Sequence, residues 1–185
     1  ERFPLDDGYL VVLQHPVTTD YGRAQAHILE TLHAVNGVKI PTLWFWPNVD
    51  AGSDGTSKGI RRFRELERPQ HIHFFRNMPP EDFLRVLLAS RALVGNSSVA
   101  IRECSFLGVP AVDVGDRQAG RERGRNVVNV AYDRERIAEA VRSQAAVGRY
   151  PSDPLYGDGR SGPRIADVLA TAPLGIAKRL TYDRG

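Results

Sequence analysis

Six short apolar runs punctuate this 185-residue chain, at residues 9–13, 41–46, 72–75, 92–94, 110–114 and 127–130, and helical patterns follow all but the fifth. Tyr9-Leu-Val-Val-Leu13 is apolar at every position, as in strands buried on both faces of a parallel sheet. Between runs the period changes. Tyr21, Ala24, Ile28, Leu32 and Val35 recur at spacings of three and four, predicting a helix that Asp20 caps and Asn36-Gly37 ends. A basic helix through Arg68 follows the second run, and Met78-Pro-Pro-Glu-Asp-Phe83 opens another with prolines where helices tolerate them. Asp133 is expected to cap a helix to about residue 147, and residues 163–172 to form a last one. Strand and helix alternating in this way predict an α/β fold with a doubly wound, Rossmann-like parallel sheet and right-handed crossovers. Residues 1–149 form that domain, and the Pro-, Gly- and Asp-rich loop from 150 with the final helix forms a C-terminal segment, 150–185.

In such sheets, ligands bind beyond the carboxyl ends of the strands, so chemistry is sought in the loops there. The fourth run ends in Gly95-Asn96-Ser97-Ser98, a tight turn whose hydroxyls are expected to cap a helix from Val99 to Leu107. Unpaired N–H groups at such a helix start suit a phosphate. Glu103, six residues past Ser97, suits a neutral donor beside that phosphate, such as a sugar diol. An ordinary capped helix with a surface glutamate would carry the same residues. The loop Gly115-Asp-Arg117-Gln-Ala-Gly120-Arg121-Glu-Arg123-Gly-Arg125 places four arginines beside a neighbouring strand end. Guanidinium forks bind phosphate oxygens in pairs, although a solvated basic loop would have the same composition. His15, after the first run, is a candidate acid/base or phosphate donor.

Several function classes drop out. Asn48 to Gly55 superficially suggests a calcium loop, but Gly52 and Gly59 occupy positions that an EF-hand gives to ligands. His71, His73 and Cys104 lack metal-ligand spacing, so no metal is expected. Without a Gly-x-Gly-x-x-Gly motif or a Walker lysine, dinucleotide and P-loop chemistry are unsupported, and no cofactor is expected. The net charge is +3, and the arginines are not interleaved with aromatics, which argues against nucleic acid. No apolar run approaches the roughly 20 residues that span a bilayer. A single cysteine fits a reducing cytoplasm. The chain opens on Glu1-Arg-Phe-Pro without an initiator Met and reads as a piece of something longer.

Assembled, the motifs resemble the UDP-N-acetylglucosamine 2-epimerase family, in particular its hydrolysing, sialic-acid-pathway branch. The matching blocks are His15-Pro16-x-Thr18-Thr19, Trp46-Pro47-Asn48-x-Asp50-Ala51-Gly52 and Gly95-Asn96-Ser97-Ser98 with Arg102-Glu103. They continue through Gly108-x-Pro110 and Gly115-x-Arg117-Gln118-x-Gly120-Arg121-Glu122-x-Gly124-x-Asn126-Val127. The resemblance implies one half of a GT-B-type architecture, with this chain as the UDP-binding half and an N-terminal domain carrying the acid/base carboxylates. It also implies a homo-oligomer for the whole protein and UDP or a UDP-sugar as ligand. By position, Ser97 and Ser98 would hold the β-phosphate, Glu103 the ribose hydroxyls, and Arg117, with Arg121 in the same loop, the diphosphate. The backbone near Met78 would meet uracil, Asn48 would contact nucleotide, and His15 would assist departure of UDP. A GT-B glycosyltransferase donor domain and a noncatalytic nucleotide-sugar sensor are the alternatives.

Overall fold

The computed structural model describes residue 5, residues 7–173 and residue 175. The chain orders itself as β1 (Leu10–Leu13), α1 (Ala24–Val38), β2 (Thr42–Phe45), α2 (Ser53–Glu67), β3 (Ile72–Phe75), α3 (Pro80–Ala89), β4 (Ala92–Gly95), α4 (Glu103–Leu107), β5 (Ala111–Val114), β6 (Val127–Val130), α5 (Arg134–Val147) and α6 (Ser161–Thr171). All six expected strands form one parallel sheet in the order β3-β2-β1-β4-β5-β6. The chain winds outward from β1 to β3, then returns to the centre and winds the other way. The switch falls between β1 and β4, where Leu13 pairs with Gly95.

Side chains alternating along each strand feed two cores. Leu10, Val12, Trp44 and Val94 pack with Ile28 and Leu32 of α1, Phe63 of α2 and Val141 of α5. Val11, Leu43 and Leu93 pack on the opposite face with Leu87 of α3 and Cys104 of α4. Gly95 holds a positive φ of 137°, and a Cβ there would stand 2.2 Å from the Leu13 carbonyl oxygen. Only glycine lets the two central strand ends approach this closely.

Two helix starts differ from expectation. Residues Thr18–Arg23 form a 3₁₀ segment interrupted at Asp20, and α1 begins at Ala24 without a side-chain cap. The Asp20 carboxylate instead lies 3.7 Å from both Arg23 and His27. The single helix expected from Val99 to Leu107 is broken into a 3₁₀ turn, Ser98–Ala100, and the short α4. Asn126 Nδ2 donates to the Ala100 carbonyl, which a continuous helix would offer to Cys104. Ser97 does cap this turn, accepting from the Val99 N–H at 3.4 Å, and Asp133 caps α5 at 2.9 Å from the Arg136 N–H.

After α5 the chain runs back over α4: Tyr150 N–H donates to the Gly108 carbonyl and Asp153 N–H to that of Ser105. α6 is exposed along its whole length, including Ile165, Val168 and Leu169 at helical spacing on one face. The expected C-terminal segment beyond residue 175 lies outside the described residues. No described helix is long and apolar enough to cross a membrane.

Candidate functional site

At the switch between β1 and β4, one residue ties the loops together. Asn96, fully buried, accepts from the His15 N–H at 2.8 Å and donates to the His15 carbonyl at 2.8 Å. Its amide also reaches the Tyr132 hydroxyl at 3.3 Å. Its own carbonyl accepts from Gln118 Nε2 at 2.8 Å and Arg117 Nη1 at 3.3 Å. Loops after β1, β4, β5 and β6 therefore meet at a single residue, those after β1 and β6 at its carboxamide and that after β5 at its backbone carbonyl. The sequence reading missed Asn96, Gln118 and Tyr132 as contributors, because their partners lie up to 81 positions away.

His15 is buried, and the Asn48 N–H donates to its Nδ1 at 3.2 Å. With Nδ1 an acceptor, a neutral ring carries its proton on Nε2. Burial, reinforced by the Arg117 guanidinium and opposed by Asp50, lowers the imidazole pKa to about 4. At neutral pH His15 is thus an uncharged Nε2–H donor.

The arginine loop divides by role. Arg123 pairs with Asp113 at 2.9 Å and donates to the carbonyls of Gln118 and Arg121. Asp113 is fully buried on β5, and burial raises its carboxyl pKa against the opposing pull of Arg123 and Asn129. The signal was visible: a carboxylate inside an apolar strand requires a partner. Arg123 is therefore a strut that shapes the loop. Arg117 is half-buried at the Asn96 junction, whereas Arg121 and Arg125 are exposed.

The remaining expected residues fall beside this junction. Ser97 is buried next to Asn96, and Ser98 is half-buried at the head of the 3₁₀ turn. Because that turn and α4 are short and interrupted, a helix dipole counts for less here than the sequence suggested, and side-chain donors count for more. Asn48 and Met78 share a cavity of about 270 Å³ with Leu13, Trp46, Arg76 and Phe83. The Met78 N–H donates to the Asn77 side chain at 2.8 Å. Glu103 lines a different cavity, about 310 Å³, with Leu84, Arg102, Phe106 and Tyr156. Its Oε2 is buried and without a hydrogen-bond partner among the described residues. An acceptor so placed awaits a donor.

Known proteins match this chain in sequence and in fold. Residues 2–170 match the UDP-N-acetylglucosamine 2-epimerase family. The UDP-N-acetylglucosamine 2-epimerase of Neisseria meningitidis is 30% identical over 168 residues, covering 88% of this chain and 43% of that protein. The hydrolysing UDP-N,N'-diacetylbacillosamine 2-epimerase of Legionella pneumophila is 25% identical over 93% of this chain and 45% of that protein. In fold, the crystal structure of UDP-GlcNAc 2-epimerase from Neisseria meningitidis bound to UDP-GlcNAc superposes with a TM-score of 0.70 and 15% identity, over 91% of this chain and 46% of that one. The chain thus spans less than half the length of these relatives. With the family match running along nearly all of it, the chain belongs to the UDP-N-acetylglucosamine 2-epimerase family.

Proposed function

We propose that this chain is the UDP-binding half of a hydrolysing UDP-N-acetylglucosamine 2-epimerase, whose acid/base carboxylates belong to a preceding domain. What carries the reading is the junction at Asn96, where a neutral imidazole and a guanidinium converge beside Ser97 at the sheet's switch point. In this reading Ser97, Ser98, Arg117 and Arg121 take the diphosphate, Asn48 and the Met78 backbone the nucleoside, and Glu103 the ribose hydroxyls. The unpartnered Glu103 oxygen supports that last assignment, since two hydroxyl donors would satisfy it. The exposed apolar face of α6 supports a further domain, because Ile165, Val168 and Leu169 would be covered by one.

The reaction begins with loss of the C2 proton to a base on the preceding domain. The C1–O bond breaks with its electron pair leaving on UDP, which gives a 2-acetamidoglucal. Water then adds across the double bond, its oxygen bonding to C1 as one of its protons passes to a base, while a proton is delivered to C2 from the face opposite the one first lost, releasing N-acetylmannosamine or a related sugar. Charge builds on the departing phosphate, where Arg117, the serine hydroxyls and the His15 Nε2–H stabilise it. His15 contributes a hydrogen bond that strengthens as the C1–O bond lengthens. Its neutrality at pH 7 matters, because a charged ring would bind UDP in the ground state as well as in the transition state.

Titration calorimetry on the purified chain tests this. UDP binds weakly, and Glu103→Ala and Arg117→Ala each cost at least ~1 kcal/mol, the value of a charged hydrogen bond. The chain alone releases no sugar from UDP-GlcNAc. Unchanged affinity in both variants overturns the site assignment, and turnover by the chain overturns its division of labour.

A further inference from the structure

The strap that leads toward α6 runs from Arg149 to Gly157 without helix or strand. Arg149 opens it by donating to the carbonyls of Leu88 and Ser90, at the end of α3. Its middle lies on α4 through the Tyr150 and Asp153 N–H groups. A turn then closes with the Gly157 N–H on the Pro154 carbonyl at 2.7 Å, and it presents Tyr156. The Tyr156 hydroxyl donates to the Glu122 carbonyl at 2.8 Å, 34 positions back in the arginine loop.

That bond falls at the tip of the loop. The limbs are tied elsewhere, Gln118 to Asn96 and Arg123 to Asp113. Between them the Arg121 N–H donates to the Gln118 carbonyl at 3.3 Å, and the Arg121 carbonyl accepts from Arg123. Both of these bonds stay inside the loop, whereas Tyr156 holds the next peptide group from outside it. The returning limb is also pressed against the strap: a Cβ on Gly124 would stand 2.8 Å from Ser105 Oγ and 3.2 Å from Asp153 Oδ2. Arg121 itself is exposed, so backbone anchors rather than side-chain packing decide where its guanidinium can reach. The Tyr156 ring lines the cavity that holds Glu103, but its hydroxyl hydrogen is spent on the loop and is not offered to a ligand there.

We propose that Tyr156 is a positioning residue for the diphosphate: it fixes the backbone beside Arg121 in advance, so that binding does not have to order the loop tip. The assignment rests on the UDP-binding reading above and names a residue which that reading leaves out.

Calorimetry with UDP and inorganic pyrophosphate on the same chain tests it. Tyr156→Phe removes one oxygen from an exposed side chain and retains the fold. It weakens both ligands by the same factor, about three- to fivefold, the equilibrium equivalent of one neutral hydrogen bond. The loss vanishes in an Arg121→Ala background and persists in full in a Glu103→Ala background, a selectivity that general loosening of the chain would not produce. Loss for UDP alone would mean that the hydroxyl serves the ribose beside Glu103, and the proposal would be overturned. No loss for either ligand overturns it, as does an equal loss in both backgrounds. If UDP binds the unmodified chain and pyrophosphate does not, the arginine loop holds no diphosphate, and the positioning role falls while the nucleoside assignment stands. If neither binds, the UDP-binding reading itself fails and takes the role of Tyr156 with it.

Discussion

At the end of the site proposed for the phosphates, four loops are joined by bonds that cross long stretches of sequence: Asn96 to His15 and Tyr132, and Gln118 and Arg117 to Asn96. At the end proposed for the nucleoside, the Asn48 N–H reaches back to His15, but the Met78 loop is held only locally. The Met78 N–H is held by the residue before it, and Arg76, Asn77 and Asn48 are exposed. The first end is cross-linked before any ligand arrives, while at the second a ligand reaching the Met78 N–H would displace a local bond. Leaving groups are stabilised by donors that do not have to reorganise, whereas a base needs only to be recognised. The contrast therefore fits the different work proposed for the two ends.

The sharpest way to break it is at the strut. Arg123→Ala leaves the fully buried Asp113 without its counter-ion, and breaking a buried pair from one side costs about 3–5 kcal/mol. The same change frees the carbonyls of Gln118 and Arg121, so the loop that presents Arg117 loosens. Urea unfolding at neutral pH should show the full loss, and the loss should shrink in acid, where a protonated Asp113 needs no partner. Arg121→Ala, at an exposed position, should change stability by no more than about 0.5 kcal/mol. Equal effects from the two arginines would mean that the phosphate end is not built around Asp113.

His15 gives a smaller effect with a defined pH window. Its pKa falls from 6.5 in the unfolded chain to about 4 in the fold. Below pH 6.5 the unfolded chain takes up a proton that the folded chain refuses, so stability drops as pH falls and levels off below about 4. Integrated over that window, the loss is roughly 3 kcal/mol. His27 and His71 are shifted in the same direction, so the His15 share is read as the difference between the parent chain and His15→Gln. Bound UDP brings negative charge beside the ring and should move the His15 titration, followed by NMR, upward from about 4. A midpoint indifferent to UDP would detach His15 from the diphosphate.

How much of this was legible without coordinates depends on the range of each interaction. The strands could be read because every position in a run such as Leu10–Leu13 is apolar, which is a local property. The caps by Ser97 and Asp133 are also local and were found. The break after Ala100 was not, since the group that meets the Ala100 carbonyl, Asn126, lies 26 residues away. Four arginines in one loop suggested an anion site but could not say which of them is free to serve one. Asp113 answers that by claiming Arg123, and the answer depends on β5 lying beside the loop. Asn96 reads in sequence as a turn residue, and only the parallel pairing of β1 with β4 turns it into the junction of the site.

The nucleoside end yields the smallest effect and the most selective test. If the Met78 N–H is the donor that meets the base, its bond to Asn77 at 2.8 Å must first be released. That release opposes binding by something near the net value of one neutral hydrogen bond, about 0.5–1.5 kcal/mol. Asn77→Ala removes the competing acceptor and exposes the N–H in advance, so UDP should bind more tightly by up to that amount. Inorganic pyrophosphate, which has no base, should bind the variant and the parent equally, because nothing at the phosphate end has changed. Tighter binding of both ligands would show that the loop after β3 reaches the diphosphate and that the two ends are not separate. Unchanged UDP affinity would mean that the Met78 N–H is not a base donor, and recognition would then fall to the apolar walls from Leu13, Trp46 and Phe83.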